Sequence, residues 1–349
     1  MKITVLMGGA SAERNVSLIS GLRIVNALRS RGHEVTAFDP SRGVITAEAE
    51  KELGDKGVGT EPPSLEALAS TTGGSFLPAL ETYPELANAD VVFLGLHGGQ
   101  GEDGTIQALL DMAHITYTGS GLLASALAMD KDLSKRLFRG AGVQTADWMM
   151  APASIDDVEK AFGLPVVVKP SKQGSTVGLT VVKTRDQFAP ALEEAFKYDD
   201  EVMIEAFVPG REITVGVLGD QVLPVGEIKP KHEIYDYECK YTPGMAEEEF
   251  PAKLSAEETA DVQAQALAAF RALKLGGCAR VDFRLASTDD VAAKKGGKFY
   301  CLEVNTLPGM TELSLIPQGA AALGLSFADL CEEIVRLAVS RNRPPQAVL

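Results

Sequence analysis

Residues 278–285 read CARVDFRL and residues 299–311 read FYCLEVNTLPGMT. Both runs alternate polar with apolar residues, and in an extended strand residues two apart share a face. Arg280 and Asp282 therefore point one way, and Val281 and Phe283 the other. Glu303 and Asn305 likewise share a face, opposite Leu302 and Val304. The turn-like KKGGK at 294–298 makes pairing of the two strands easy, and pairing gathers Arg280, Asp282, Glu303 and Asn305 on one surface. Three oxygen ligands beside a guanidinium suit Mg2+ and phosphate oxygens, because hard cations prefer oxygen. A solvated outer face of an edge hairpin would alternate in the same way.

Upstream, VVVKPSKQGSTVG at 166–178 carries Lys169 from an apolar strand over 166–169 into a glycine-bearing loop, and a strand over 179–182 closes a hairpin. Backbone amides freed by Gly174 and Gly178 can approach phosphate closely, with the lysine as a compact positive charge beside them. The Walker A pattern is absent, since the lysine precedes the glycines. Taken alone, the hairpin is equally a mobile turn with a surface lysine.

GGASAERNVSLISG at 8–21 is a glycine turn after a first strand, and open parallel sheets bind ligands at the carboxyl ends of their strands. Gly8 and Gly9 are adjacent and the next glycine is Gly21, so the dinucleotide spacing G-x-G-x-x-G is missing. Glu13 suits a ligand ammonium better than a pyrophosphate, or else simply favours a helix N-terminus. LHGGQGEDG at 96–104 puts His97 at the end of an apolar strand, and YDYECKY at 235–241 puts Lys240 and Tyr241 in a loop. A lone histidine is more often structural, and loops bearing Tyr and Lys are common on surfaces.

Strand and helix alternate over 2–7, 17–31, 34–38 and 90–96, which implies an open parallel sheet. A polar, loop-laden insertion from 46 to 84, with one short helix near 65–69, separates the last two of those strands. YTGSG at 117–121 precedes helices over 122–129 and 131–140, a helix over 186–198 and a strand over 201–205 follow the hairpin, and VPGRE at 208–212 reads as a turn between domains. Beyond it lie strands over 212–218 and 221–228, a loop over 229–248, a helix over 255–273, the strand pair and a final helix over 327–339. The fold class is α/β with an N-terminal open parallel sheet and two α+β domains, divided at 1–119, 120–208 and 209–349.

A chain of 349 residues is long enough for such a division. Apolar residues make up 45% and charged residues 23%, and no apolar run approaches the roughly 20 residues of a membrane span. MKITVL passes straight into glycines and reads as a buried strand rather than a signal peptide, so a cytoplasmic enzyme is expected. A formal charge of −15 opposes affinity for nucleic acid or anionic membranes. Cys239, Cys278, Cys301 and Cys331 form no C-x-x-C pair and stand at no metal-ligand spacing from a histidine, which leaves them as structural thiols.

Eight segments in order, GGASAERNVSLISG, LHGGQGEDGT, YTGSG, AMDK, VVKPSKQGSTVG, YDYECKY, RVDFRL and EVNTLPGMT, give the chain its resemblance to the D-alanine-D-alanine ligase family of the ATP-grasp superfamily. It covers nearly the whole chain except about 42–85. The resemblance implies a three-domain ATP-grasp architecture with ATP between the second and third domains. Lys131 and Lys169 would meet its phosphates, Glu205, the Phe207 and Val208 backbone and Glu212 would hold adenine and ribose, and Lys240 would reach the terminal phosphate. Asp282, Glu303 and Asn305 would hold two Mg2+ ions, for which Mn2+ could substitute. Glu13 would take the ammonium of the first D-alanine, with His97 nearby, and join Ser175 and Tyr241 in a hydrogen-bonded set that closes the loops. Arg280 and the Gly309 amide would hold an oxyanion, while Ser314 and Leu315 would place the second D-alanine by its carboxylate.

The implied reaction makes D-alanyl-D-alanine for peptidoglycan through a D-alanyl phosphate, in a homodimer. The rival within the fold takes D-lactate second, but Tyr241 matches the dipeptide-forming members. Ala206 stands where many relatives carry lysine, which puts one adenine contact in doubt. A nucleotide-binding dehydrogenase would leave Asp282, Glu303 and Asn305 idle, and a non-catalytic nucleotide sensor would not need them with Arg280.

Overall fold

The apolar runs of the N-terminal part form strands β1 (Lys2–Leu6), β2 (Glu34–Asp39), β3 (Gly43–Val44) and β4 (Val91–Leu94), ordered β3-β2-β1-β4. The computed structural model describes residues 1–11, 13–56, 83–242, 244–286 and 299–341. β1 runs parallel to β2 and β4, and β3 is an antiparallel edge. Every residue of β4 is buried, as expected of a parallel strand covered on both faces. Helix Arg14–Ser30 returns the chain from β1 to β2 and leaves the turn at Gly8 and Gly9 at the carboxyl end of β1.

The second sheet contains β5 (Trp148–Met150), β6 (Val166–Pro170), β7 (Thr180–Val182) and β8 (Val202–Ala206), all antiparallel, in the order β5-β8-β6-β7. Val166 pairs with Val182 and Val168 with Thr180, so Lys169 sits at the root of the expected glycine loop.

The third sheet is built from β9 (Gly210–Leu218), β10 (Gln221–Val222), β11 (Gly226–Pro230), β12 (Ala246–Glu249), β13 (Cys278–Ala286) and β14 (Phe299–Asn305). Its order is β12-β11-β9-β13-β14, with β10 on β9. β13 and β14 pair antiparallel, Arg280 opposite Asn305 and Asp282 opposite Glu303. A register shift after Asp282 sets Phe283 opposite Cys301, and Val281, Phe283 and Cys301 enter one apolar cluster. KKGGK lies outside the described residues.

Several elements differ from the sequence expectations. The strand over 221–228 is two strands, because Pro224 between them has no N–H to give a ladder. The loop over 229–248 holds a short helix, Tyr237–Tyr241, capped by Asp236, and the polar strand β12. AEEE has no apolar alternation to read; β12 is held by pairing with β11 and by Lys229, whose Nζ is 3.2 Å from Glu247 and 3.0 Å from Glu249. The insertion begins with helix Ala47–Lys56, while the helix expected near 65–69 falls outside the described residues. β5 and helices Thr105–Met112, Ile155–Ala161 and Leu315–Ala322 were not anticipated.

The last helix, Phe327–Arg341, packs against Arg14–Ser30. Ile24, Leu28, Val35 and Phe93 share one core with Met310, Ile316, Leu330, Ile334 and Val335. Arg31 pairs with Asp329, His33 Nε2 lies 2.7 Å from Glu332, and Arg341 donates to Gly119 O at 2.6 Å and Tyr117 O at 3.1 Å. Among the described residues no helix is long and apolar enough to cross a membrane.

Candidate active site

Two cavities meet at a shared wall made by Lys131, Gln173, Gly174, Tyr235, Lys240 and Glu303. Glu13, His97, Ser175, Arg280, Asn305, Gly309, Ser314 and Leu315 line the first. Lys169, Glu205, Phe207, Val208, Glu212 and Asp282 line the second, with apolar Val167, Ile213, Ile228 and Leu302. Residues from all three sheets and their connections thus converge, and the site residues expected from the sequence fall in one cavity or the other except Tyr241. The side chain of Tyr241 lies outside the described residues.

At the wall, Glu303 Oε2 is 3.2 Å from Lys131 Nζ. Burial pushes the Glu303 carboxyl up, but Lys131, Lys240 and Lys169 outweigh it and hold it at about 2. Across the ladder, Asp282 accepts from Arg280 Nε at 2.9 Å, from Arg280 Nη2 at 2.8 Å and from Thr214 Oγ1 at 2.8 Å. Two opposed carboxylates beside a carboxamide form an oxygen donor set that fits a hard divalent cation. Asn305 Oδ1 accepts from the Leu307 amide at 3.1 Å, which fixes that carboxamide at the strand end.

In the second cavity, Glu205 is gripped from two sides: Lys169 Nζ is 2.7 Å from Oε2, and Lys135 reaches Oε1. Burial raises this carboxyl, and the two lysines bring it down to about 2. Arg284 Nη1 lies 2.7 Å from Glu212 Oε1, and its Nε donates to the Val208 carbonyl at 3.0 Å. Each buried carboxylate thus has a cationic partner, although burial still pushes the Glu212 carboxyl up, and Val167, Ile213, Ile228 and Leu302 give the cavity apolar walls.

The tip of the β6–β7 loop, at Gln173, Gly174 and Ser175, lines the first cavity. Ser175 donates to Glu13 Oε1, joining this tip to the turn after β1. Ser175 and Thr176 take φ of +52° and +61°, left-handed values that cost a non-glycine residue energy and need such a contact to persist. Gly98, at φ +70°, takes a left-handed conformation that favours glycine, and a Cβ there would lie 2.9 Å from Glu13 Oε2, so that carboxylate would have to shift. His97 is buried and its Nδ1 stands 2.9 Å from the Leu307 carbonyl, with Nε2 3.2 Å from Ser20 Oγ. Burial lowers its pKa, so the ring is neutral and acts as a strut. On the far wall Ser314, at the start of helix Leu315–Ala322, accepts from the Thr311 amide at 2.9 Å, and a Cβ on Gly309 would meet its Oγ at 2.7 Å.

Family models described as D-ala D-ala ligase N-terminus and C-terminus match residues 2–120 and 136–336. The chain is 41% identical to the D-alanine–D-alanine ligase of Halalkalibacterium halodurans over 349 residues, 98% of this chain and 100% of the relative. It is 42% identical to the one from Geotalea uraniireducens, covering 97% of this chain and 95% of that relative. The chain belongs to the D-alanine–D-alanine ligase family. Solved members superimpose on it along almost their whole length. The Bacillus anthracis D-alanine–D-alanine ligase complexed with ATP gives a TM-score of 0.71 at 30% identity, with 98% of both chains covered. The Coxiella burnetii ligase gives 0.77 at 29% identity, covering 97% of this chain and 94% of that one. The fold of this family member is accordingly ATP-grasp, with an open parallel sheet followed by two α+β units.

Four groups at this ligase-family site escaped the sequence reading. Glu102 stands inside the LHGGQGEDG segment, but nothing in that segment shows that it turns inward, where its Oε2 accepts from the Gly98 amide at 3.0 Å. Burial and the Glu13 carboxylate push its carboxyl up to about 8. Lys135 is one helical turn beyond Lys131, a spacing that could have flagged it. Arg284 continues the Arg280 and Asp282 face of β13, and Tyr235 opens the YDYECKY loop.

Proposed function

We propose that the chain joins two D-alanines to D-alanyl-D-alanine at the expense of ATP, releasing ADP and phosphate, for peptidoglycan synthesis. The observation that carries this reading is the meeting of Glu303, Lys131 and Lys240 at the wall between a largely apolar cavity and a polar one. In this reading ATP lies in the second cavity, its phosphates directed at Lys131, Lys169 and Lys240, with Glu205, the Phe207 and Val208 backbone and Glu212 around the adenine and ribose. Ala206 offers no side-chain amine there, so the adenine contact rests on the backbone and on Glu205. Asp282, Glu303 and Asn305 would hold Mg2+, or Mn2+ in its place, which when bound neutralises charge on the transferring phosphoryl group.

A carboxylate resists attack by an amine because its oxygen is a poor leaving group. Transfer of the terminal phosphoryl group to the first D-alanine makes that oxygen part of a phosphate, and the amine of the second D-alanine then attacks the carbonyl carbon. The C–N bond forms, the C–O bond to phosphate breaks and the amine loses a proton. Glu13 orients the first D-alanine by its ammonium, and His97 holds the adjoining wall. Ser314 and the amide at Leu315 receive the carboxylate of the second. Arg280 and the Gly309 amide stabilise the oxyanion; losing one such donor typically costs about 10² to 10³ in rate. Ser175, hydrogen bonded to Glu13, keeps the loop over the acyl phosphate and excludes water, and Tyr241 joins that closure.

Phosphate release from ATP with Mg2+ should start on addition of D-alanine but not L-alanine, and Glu303→Ala should abolish nearly all of it. Lack of any D-alanine dependence would overturn the reading. With D-alanine and D-lactate in competition near neutral pH, the dipeptide should predominate; a predominant depsipeptide would reassign the second substrate. The same reading divides the chain at 1–119, 120–208 and 209–349, places it in the cytoplasm and pairs it as a homodimer, which sedimentation of the full chain would check.

A further inference from the structure

The turn over 231–241 carries a donor cluster that ligation does not use. His232, Asp236 and Cys239 each offer one ligand atom, and these atoms all lie within 4.8 Å of one another. His232 Nδ1 stands 2.7 Å from Asp236 Oδ2, while Asp236 Oδ1 accepts from the Cys239 amide at 2.9 Å. That second bond caps the short helix Tyr237–Tyr241 and brings the thiol back within reach of the imidazole and carboxylate. Cys239 has no histidine at a familiar ligand spacing along the chain; the local turn supplies the proximity instead. All four cysteines are buried and free, but among the described residues only Cys239 belongs to such a group.

One nitrogen, one sulfur and one oxygen donor form a borderline-soft set, suited to Zn2+ rather than to Mg2+, which demands oxygen. The site is closed on the side of Cys239, which is 2% exposed, and open at His232, whose side chain is 39% exposed. Solvent can therefore deliver the ion and fill a fourth position.

We propose that His232, Asp236 and Cys239 form a Zn2+ site that pins the turn carrying Lys240. Lys240 follows Cys239 directly and lines both cavities, with its Nζ 5.6 Å from the centre of the Tyr235 ring. A bound ion ties three points of this turn together, holds Lys240 in one position and slows turnover. The effect on turnover rests on the ligase reading; binding does not.

The full chain, stripped of metal with a chelator, is titrated with Zn2+ against a chromogenic chelator near neutral pH, alongside Cys239→Ser and His232→Ala. The expected result is one Zn2+ per chain, bound at least about tenfold more weakly by each variant, since loss even of an outer-shell partner costs 10- to 100-fold. Co2+ should show a thiolate charge-transfer band in the wild-type chain and none in Cys239→Ser. His232 is exposed, so His232→Ala tests the site even where Cys239→Ser disturbs packing. Equal Zn2+ affinity in all three chains, or a cobalt–thiolate band that survives Cys239→Ser, overturns the site. In the Mg2+-supported assay, Zn2+ should inhibit the wild type at lower concentration than either variant. Equal inhibition places the effect at Asp282 and Glu303 and overturns the control of turnover. Absence of D-alanine-dependent turnover in all three chains removes the ligase reading and leaves the binding result standing.

Discussion

Glu102 shows how one buried side chain sets a pH dependence. Its carboxyl is pushed up to about 8 by burial and by Glu13, against an ordinary value of 4.5. A raised folded-state pKa means that the folded chain holds a proton the unfolded chain has released, so this contribution to stability is complete below about 4.5 and is lost as pH rises through about 8. Thermal stability of the wild type should therefore fall between about pH 4.5 and 8, and Glu102→Gln, which keeps the neutral form at every pH, should fall less. Parallel declines in the two proteins would show that Glu102 is ionised when folded. Glu205 and Glu303, both brought down to about 2, act in the opposite direction: their contribution is present above the ordinary glutamate value and disappears as pH drops towards 2.

At the scale of elements, the β6–β7 loop and the β9–β13 ladder make different demands. The loop tip is held in left-handed backbone by the bond from Ser175 to Glu13. A hydrogen bond to a charged group is worth about 1.5–3 kcal/mol, so Ser175→Ala should lower kcat/KM roughly ten- to hundredfold while leaving the unfolding midpoint nearly unchanged. A large drop in the midpoint would instead make Ser175 a structural residue. Gly210 begins β9 at φ +137°, and a Cβ there would lie 2.1 Å from the Leu285 carbonyl oxygen. Gly210→Ala must therefore push β9 away from β13 and should cost on the order of 3 kcal/mol in a denaturant titration, because both conformation and space are refused. A cost below about 1 kcal/mol would show that the ladder adjusts freely.

Across the whole molecule, the first sheet is completed by the last helix. Leu330, Cys331, Ile334 and Val335 are buried in the same cluster as Ile3, Val5, Ile24 and Leu28. A chain ending at residue 120 would expose that face, and exposed apolar area costs about 25 cal/mol per Å². Residues 1–120 alone should therefore show no cooperative urea transition by circular dichroism, although a family model matches almost the same segment. A sharp transition would mean that the helix merely covers a self-sufficient unit. The arrangement also brings Glu13 and His97, from the first part of the chain, to the same cavity as Arg280, Glu303 and Gly309, from the last.

The alternation of CARVDFRL and FYCLEVNT put Arg280 with Asp282 and Glu303 with Asn305, because a strand has a fixed period of two; the register that sets Asp282 opposite Glu303 was decided by the pairing of the strands. Gly8, Gly9, Gly98, Gly99 and Gly178 mark turns with positive φ, which is cheap for glycine, whereas Ser175 and Thr176 take positive φ that no glycine in the sequence announces. β12 was illegible, since AEEE has no buried face and exists only through its partner β11. Glu102 was illegible as a site residue because the Glu13 carboxylate that acts on it comes from a segment distant along the chain; the spacing of Lys135 from Lys131 and of Arg284 from Asp282 was there to read, but their partners Glu205 and Glu212 lie far along the chain. The gathering of His232, Asp236 and Cys239 is local but shows only in the folded chain, because the cap that Asp236 gives the helix Tyr237–Tyr241, and no familiar ligand spacing, brings their donor atoms within reach of one ion; what tertiary structure alone decided is the meeting of Glu13, from the first sheet's turn, with Ser175, Arg280 and Glu303 around one cavity.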